Sequence, residues 1–242
     1  MNLPGLRNDW LIDSGSEFSA DGIMKPYLRA QGVNRLPHFV VTHGEAAFSG
    51  GAARIQELFQ PREVVLGPVQ FRSAEYRQFT NSLKTVGRRC QAGDRIGPFE
   101  VIYPAADARY ARAEDSALVL RGNFHGTRVL LLSDLGHAGQ NELLNLKTNE
   151  LRADIVIAGI PAVGEPLCNP LLDAIQPRLI IIADSEYPAS RKASHKLKER
   201  LMARQVPTWF TDAKGAVTLL ARRGRVVVND LGDGTNWMMS GP

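Results

Sequence analysis

Short apolar runs rich in β-branched residues alternate along this chain with segments whose apolar positions recur every three or four residues. "DWLIDSG" predicts a strand ending at Asp13, and "ADGIMKPYLRAQG" a helix with Ile23, Tyr27 and Leu28 on its apolar face and Gly32 past its end. "HFVVTH" and "EVVLGP" predict strands around a helix entered through Gly50-Gly51, with Ala52, Ile55, Leu58 and Phe59 on one face. "SAEYRQFTNSLKTVG" predicts another helix, followed by strands "FEVIYP", "ALVLRGNF" and "TRVLLLSD", the last two joined by a hairpin turn at His125-Gly126. The rhythm then repeats: a helix near Asn141 to Lys147, strand "ADIVIAG", helix "NPLLDAIQ", strand "LIIIAD", helix "SHKLKERLMARQ", strand "TWFTD" and hairpin "AVTLLARRGRVVVND". This order predicts the α/β class, with two mixed β-sheets packed face to face and helices outside. No low-complexity linker interrupts it, so 1–242 reads as a single domain, with 231–242 as a mobile tail.

Composition narrows the possibilities modestly. At 242 residues the chain can bury a substantial core. No apolar run approaches the roughly 18 residues of a membrane span, and the opening "MNLPGLRNDW" lacks a signal pattern. Cys90 and Cys168 have no CxxC spacing, which argues against a disulfide framework and a thiolate zinc site; both read as core or loop residues. The net charge is only +4, yet basic residues gather at Arg191, Lys192, Lys196, Lys198 and Arg200, and again at Arg222, Arg223 and Arg225. These are candidate nucleic-acid contacts, with a solvated charged face as the alternative.

Five segments carry a family resemblance: "LIDSG", "THGEAAFSGG", "EDSALVLRGNFHGTRVLLLSDLG", "LRADIVIAGIPAVG" and "TDAKGAVTL". In order and spacing the chain resembles, over nearly its whole length, the metallo-β-lactamase-like domain of the ComEC-type DNA-uptake channel of competent bacteria. The resemblance implies an αββα sandwich with metals held at strand-end loops between two sheets. In that family the second motif reads Thr-His-x-Asp-x-Asp-His-x-Gly-Gly. Here His43 and the two glycines stand, Glu45 takes an acidic position, and Ala47 and Phe48 replace the second aspartate and the second histidine. Asp134 matches the metal-bridging aspartate that ends a strand, and Pro161-Ala162-Val163-Gly164 stands where Pro-His-His-Gly is usual. The family's strand before "LIDSG" is absent here, so the domain is expected to lack its first strand.

A hydrolytic zinc or manganese site needs several nitrogen or oxygen ligands and an open position for an acidified water. Ala47, Phe48, Ala162 and Val163 supply no lone pair. His43, Glu45 and Asp134 therefore form, at most, a vestigial metal set, and losing even a supporting partner commonly costs about 10–100-fold in affinity. Each also has a plainer reading: His43 hydrogen-bonds across its loop, while Asp13 and Asp134 satisfy backbone amides at strand ends. Asp13 is further expected to order the histidine loop. His137 is a candidate replacement ligand or a helix-start residue, His125 a turn residue, and His195 a solvent-exposed one. Gly50-Gly51 resembles a phosphate-binding helix start, a weak signal by itself.

The leading expectation is an eroded metallo-β-lactamase-like domain of DNA uptake. It would act as a scaffold or DNA-contacting module with no catalytic residues and no cofactor. The alternative is an active metal-dependent phosphodiesterase or nuclease using zinc or manganese. Expected partners are single-stranded DNA and a membrane channel, part of the same or an adjacent polypeptide, which would tether the domain at the inner membrane. A module that packs on such a channel without touching DNA is the third reading.

Overall fold

Parallel neighbouring strands need a crossover connection, usually a helix, and the first part of the chain is built this way. Strands β1 (Trp10–Ile12), β2 (His38–Val41), β3 (Glu63–Leu66) and β4 (Arg88–Arg89) form an all-parallel sheet in that order. The crossovers are α1 (Glu17–Ser19), a π turn (Ala20–Met24) and α2 (Lys25–Ala30), then α3 (Ala46–Ser49) and α4 (Ala52–Phe59), then α5 (Ala74–Ser82). The computed structural model describes residues 1, 9–83, 87–147, 150–222, 224–232 and 234–240. Its chain divides into two compact units, Met1–Ala92 with Pro104–Leu118, and Gly93–Tyr103 with Val119–Pro242, where the sequence reads as one domain.

In the first unit, alternate residues Phe39, Val41, Val64 and Leu66 pack with Ile55, Phe59, Tyr76 and Phe79. Among the described residues the strands of this sheet pair in parallel, since the connections between them are crossovers. One sequence expectation changes here. Ile23 and Tyr27 are 55% and 59% exposed, and the inward strip is Ala20, Met24 and Leu28. The reason lies at Gly51. A Cβ there would come within 2.7 Å of the Ala20 Cβ, so the helical segment and α4 approach closely only where small residues meet.

The second unit holds a mixed seven-stranded sheet. It comprises β5 (Arg95–Ile96), β6 (Phe99–Tyr103), β7 (Val119–Phe124), β8 (Thr127–Leu131), β9 (Ile155–Gly159), β10 (Leu179–Ala183) and β11 (Thr208–Phe210), in the spatial order β11-β10-β9-β8-β7-β6-β5. Strands β8 to β11 pair in parallel, separated by α6 (His137–Lys147), α7 (Asn169–Ile175) and α8 (His195–Met202). The expected turn between β7 and β8 is there, with φ of 53° at His125 and 92° at Gly126, as a two-residue hairpin loop requires.

After α9 (Thr211–Lys214), strands β12 (Val217–Arg222), β13 (Arg225–Asp230) and β14 (Asn236–Ser240) form a separate antiparallel sheet. Its Val226, Val228 and Met239 pack against Val129, Ile155, Leu179, Ile181 and Trp209 of the larger sheet. Residues 236–240, expected within a mobile tail, are thus a paired strand. Burial of Met239 and partial burial of Trp237 hold it down. Asp154 ties the starts of β8 and β9, accepting from the Arg128 amide at 2.8 Å and from its guanidinium at 3.3 and 3.4 Å.

Candidate functional site

In the first unit the candidate residues follow from the end of β2. Asp13, just past β1, adopts φ of 59°, a left-handed conformation that turns its carboxylate back toward the neighbouring strand. It accepts from the Thr42 amide at 2.8 Å and from the Thr42 hydroxyl at 2.8 and 3.0 Å. The same hydroxyl lies 3.0 Å from His43 Nδ1. A hydroxyl has one proton, and this one is committed to the carboxylate, so Nδ1 of His43 is the donor to Thr42. Asp13 therefore orders the histidine loop through Thr42. The fully buried imidazole presents its other nitrogen, Nε2, 3.7 Å from Glu45 Oε2.

The residues after Glu45 are helical at once. Phe48, in α3, places its half-buried ring 4.9 Å from the His43 imidazole, tilted by 48°, and Phe71 flanks the same imidazole edge-on at 6.5 Å. Gly44 owes its identity to Phe71, whose Cβ would lie 2.2 Å from a Cβ at Gly44. The Gly50-Gly51 pair serves packing. The Gly51 amide donates to the Gly15 carbonyl at 3.0 Å, so it is spent within the fold instead of facing an anion.

In the second unit Asp134 follows β8 and is fully buried. Its Oδ2 accepts from Arg191 Nη1 at 3.0 Å, and the same nitrogen donates to the Ile160 carbonyl. Ala162 and Val163 lie exposed on the loop after β9, Val163 at 51%. Arg200 clamps the rest of that loop, donating to the Leu167 and Pro166 carbonyls at 2.7 and 2.9 Å and to Glu165 at 3.2 Å. The structure thus brings His43 beside Glu45 in one unit and Arg191 beside Asp134 in the other. The role of Arg191 was not legible in the sequence, where it stands at the head of a basic run.

The remaining basic candidates are dispersed. Lys192 pairs with Glu186 at 3.3 Å, Lys198 lies 5.1 Å from the Phe210 ring centre, and Lys196 is exposed on α8. Arg222 and Arg225 are exposed and face each other across the β12–β13 hairpin, while Arg223 lies outside the described residues. His137, His125 and His195 follow the plain readings. His137 is exposed at the start of α6, 3.2 Å from Asn141; His125 is exposed in its turn; and His195 is exposed beside Glu199.

This architecture is that of the metallo-β-lactamase fold. A metal-dependent hydrolase of the beta-lactamase superfamily superposes with a TM-score of 0.51 at 11% identity, covering 84% of this chain and 85% of that one. The sequence is similar to two curated relatives. Competence protein ComA of Neisseria gonorrhoeae is 21% identical over 216 residues, 89% of this chain, and ComE operon protein 3 of Bacillus subtilis (strain 168) is 22% identical over 239 residues, 90% of this chain. The chain spans 30% of the length of each. The motif resemblance to the ComEC-type domain agrees with both. No family model matches the chain. Among the described residues no helix is long and apolar enough to cross a membrane.

Proposed function

We propose that the chain is an eroded metallo-β-lactamase-like domain of bacterial DNA uptake, serving as a scaffold or DNA-contacting module with little or no hydrolase activity. The place in DNA uptake rests on the names of the two competence relatives. The loss of hydrolysis is carried by one contact: Phe48, at the position of the motif's second histidine, lays an apolar ring against the His43 imidazole. A metal there would meet a phenyl group in place of a ligand. With Ala47, Ala162 and Val163 also without lone pairs, these residues do not fit a hydrolytic zinc or manganese centre. Tethering to a membrane channel, through the same or an adjacent polypeptide, belongs to the same proposal.

One observation favours the second reading, a metal-dependent phosphodiesterase or nuclease. The Asp13-Thr42-His43 chain makes Nδ1 the donor and leaves Nε2 as the coordinating atom, the arrangement that metal-binding histidines use. The deciding measurement is cleavage of single- and double-stranded DNA with added manganese or zinc, alongside metal content after purification. Turnover at background supports the proposal. Metal-stimulated cleavage abolished by both His43→Ala and Asp134→Ala overturns it in favour of the nuclease.

A further inference from the structure

We infer that Arg191 is a resident cation for Asp134, supplying from within the chain the positive charge that this buried carboxylate requires and joining three strand-end loops of the second unit. The inference deepens the reading of an eroded centre and rests on it for the comparison with a metal. The geometry on which it stands is independent of that reading.

Strands β8, β9 and β10 are adjacent and parallel, so the loops after them emerge on one side of the sheet. The first loop is shaped by Ser133, with φ of 50°, and by hydrogen bonds from the Leu132 amide to the Ile157 carbonyl and from the Leu135 amide to the Leu132 carbonyl. That path leaves Asp134 fully buried. The third loop delivers Arg191, whose backbone is held at both ends: its amide donates to the Pro188 carbonyl at 2.8 Å and its carbonyl accepts from the Ser185 amide at 3.0 Å. The Arg191 side chain is 12% exposed and its Nη1 bridges the Asp134 carboxylate and the carbonyl of Ile160, on the second loop. One guanidinium therefore links all three loops.

A buried carboxylate is costly unless it is paired and hydrogen-bonded, and the Arg191 contact does both. It also repels any second cation at the same oxygen, because like charges a few ångströms apart interact strongly in a dehydrated setting. Arg191 is a positioning residue here, and the consequence can be measured. Removing its charge should destabilise the fold through Asp134 in particular.

The experiment is a double-mutant cycle on the full chain with Arg191→Gln, Asp134→Asn and the pair, read by urea unfolding. The expected result is coupling. Arg191→Gln alone loses much stability, and adding Asp134→Asn restores at least roughly tenfold in the folding equilibrium. Should Arg191→Gln alone fail to fold, folding of the double variant gives the same answer. Additive losses, or failure of both variants to fold, overturn the inference. Arg191→Lys supplies a second readout. It keeps a cation within reach of Asp134 and should retain more of the stability that Arg191→Gln loses, whereas equal losses in the two variants overturn the inference. Metal-dependent DNA cleavage by the wild type would instead overturn the proposed function, whatever the cycle reads.

Discussion

Asp13 holds Thr42 by two groups at once, the amide at 2.8 Å and the hydroxyl shared between both carboxylate oxygens. This pairing carries the order of the histidine loop, since the hydroxyl is also the partner of His43 Nδ1. Thr42→Val keeps the shape and removes the hydroxyl, leaving Asp13 and His43 each short of one buried bond. We expect a loss of about 1–3 kcal/mol in urea unfolding. A change below about 0.5 kcal/mol would show that the hydroxyl does not carry the order of the loop.

Glycine positions 51 and 22 should respond in opposite directions to alanine. At Gly51 the new Cβ would sit 2.7 Å from the Ala20 Cβ and 2.8 Å from the Ser16 carbonyl oxygen. Gly51→Ala is expected to cost about 1–3 kcal/mol, the range for overpacking. At Gly22, within the π turn, a Cβ meets only the exposed Phe18 ring at 3.7 Å. Gly22→Ala should stabilise by about 0.4–1 kcal/mol through the unfolded chain. Thermal melts of the two variants check the pair of signs.

Asp154 makes a pH prediction. Burial pushes its carboxyl up, but the Arg128 amide and guanidinium, together with the charge of Arg178, outweigh burial and hold it below the ordinary carboxylate value. A lowered folded-state value means that the stabilisation is fully present above the unfolded carboxylate value, about 3.9, and is lost as pH falls through the folded value. Asp154→Asn should be less stable than wild type at pH 7 by about 1.5–3 kcal/mol. The gap should close as the medium is acidified below pH of about 4, as urea midpoints across that range would reveal.

Restoring donors in the first unit should restore metal affinity. Ala47→Asp with Phe48→His places two lone-pair donors in the helical turn beside His43 and removes the ring that now packs there. Calorimetric titration is expected to detect zinc binding by this double variant that exceeds wild type by at least about tenfold, since ligand count governs affinity. Equal binding by the two proteins would mean that Phe48 is not what limits the site.

Contacts to single-stranded DNA, as proposed, should be weak, indifferent to base sequence and strongly salt-dependent. Among the described candidates, Lys192, Lys196, Arg222 and Arg225 are exposed and within reach of a phosphate. Each alanine substitution there should weaken binding and flatten the salt dependence by roughly 0.7 in log–log slope, measured by fluorescence anisotropy. Arg200→Ala should act differently. Its guanidinium is tied to Glu165, Pro166 and Leu167, so its loss is expected to lower stability by about 1–3 kcal/mol before it affects binding.

What the chain reveals by itself is whatever a window of ten or so residues encodes. The apolar runs at Phe39–Val41, Ile155–Ala158 and Leu179–Ile182, the period of α4 and α8, and the His125-Gly126 turn all lie within such windows, and all appear as read. That Ala47, Phe48, Ala162 and Val163 offer no metal-ligating lone pair was equally legible, because this is a property of the residue itself. Tertiary structure decided the rest. Strands β4 and β5 have two residues each and no periodicity, and β14 exists because β13 and the larger sheet accept it. The inward strip of residues 17–30 depends on the close approach of Gly51. Arg191 reaches Asp134 from 57 residues away, since parallel pairing of β8, β9 and β10 sets their following loops side by side. Local sequence cannot distinguish an arginine bound for solvent from one bound for a buried carboxylate; the partner's position, fixed by the sheet, makes that choice.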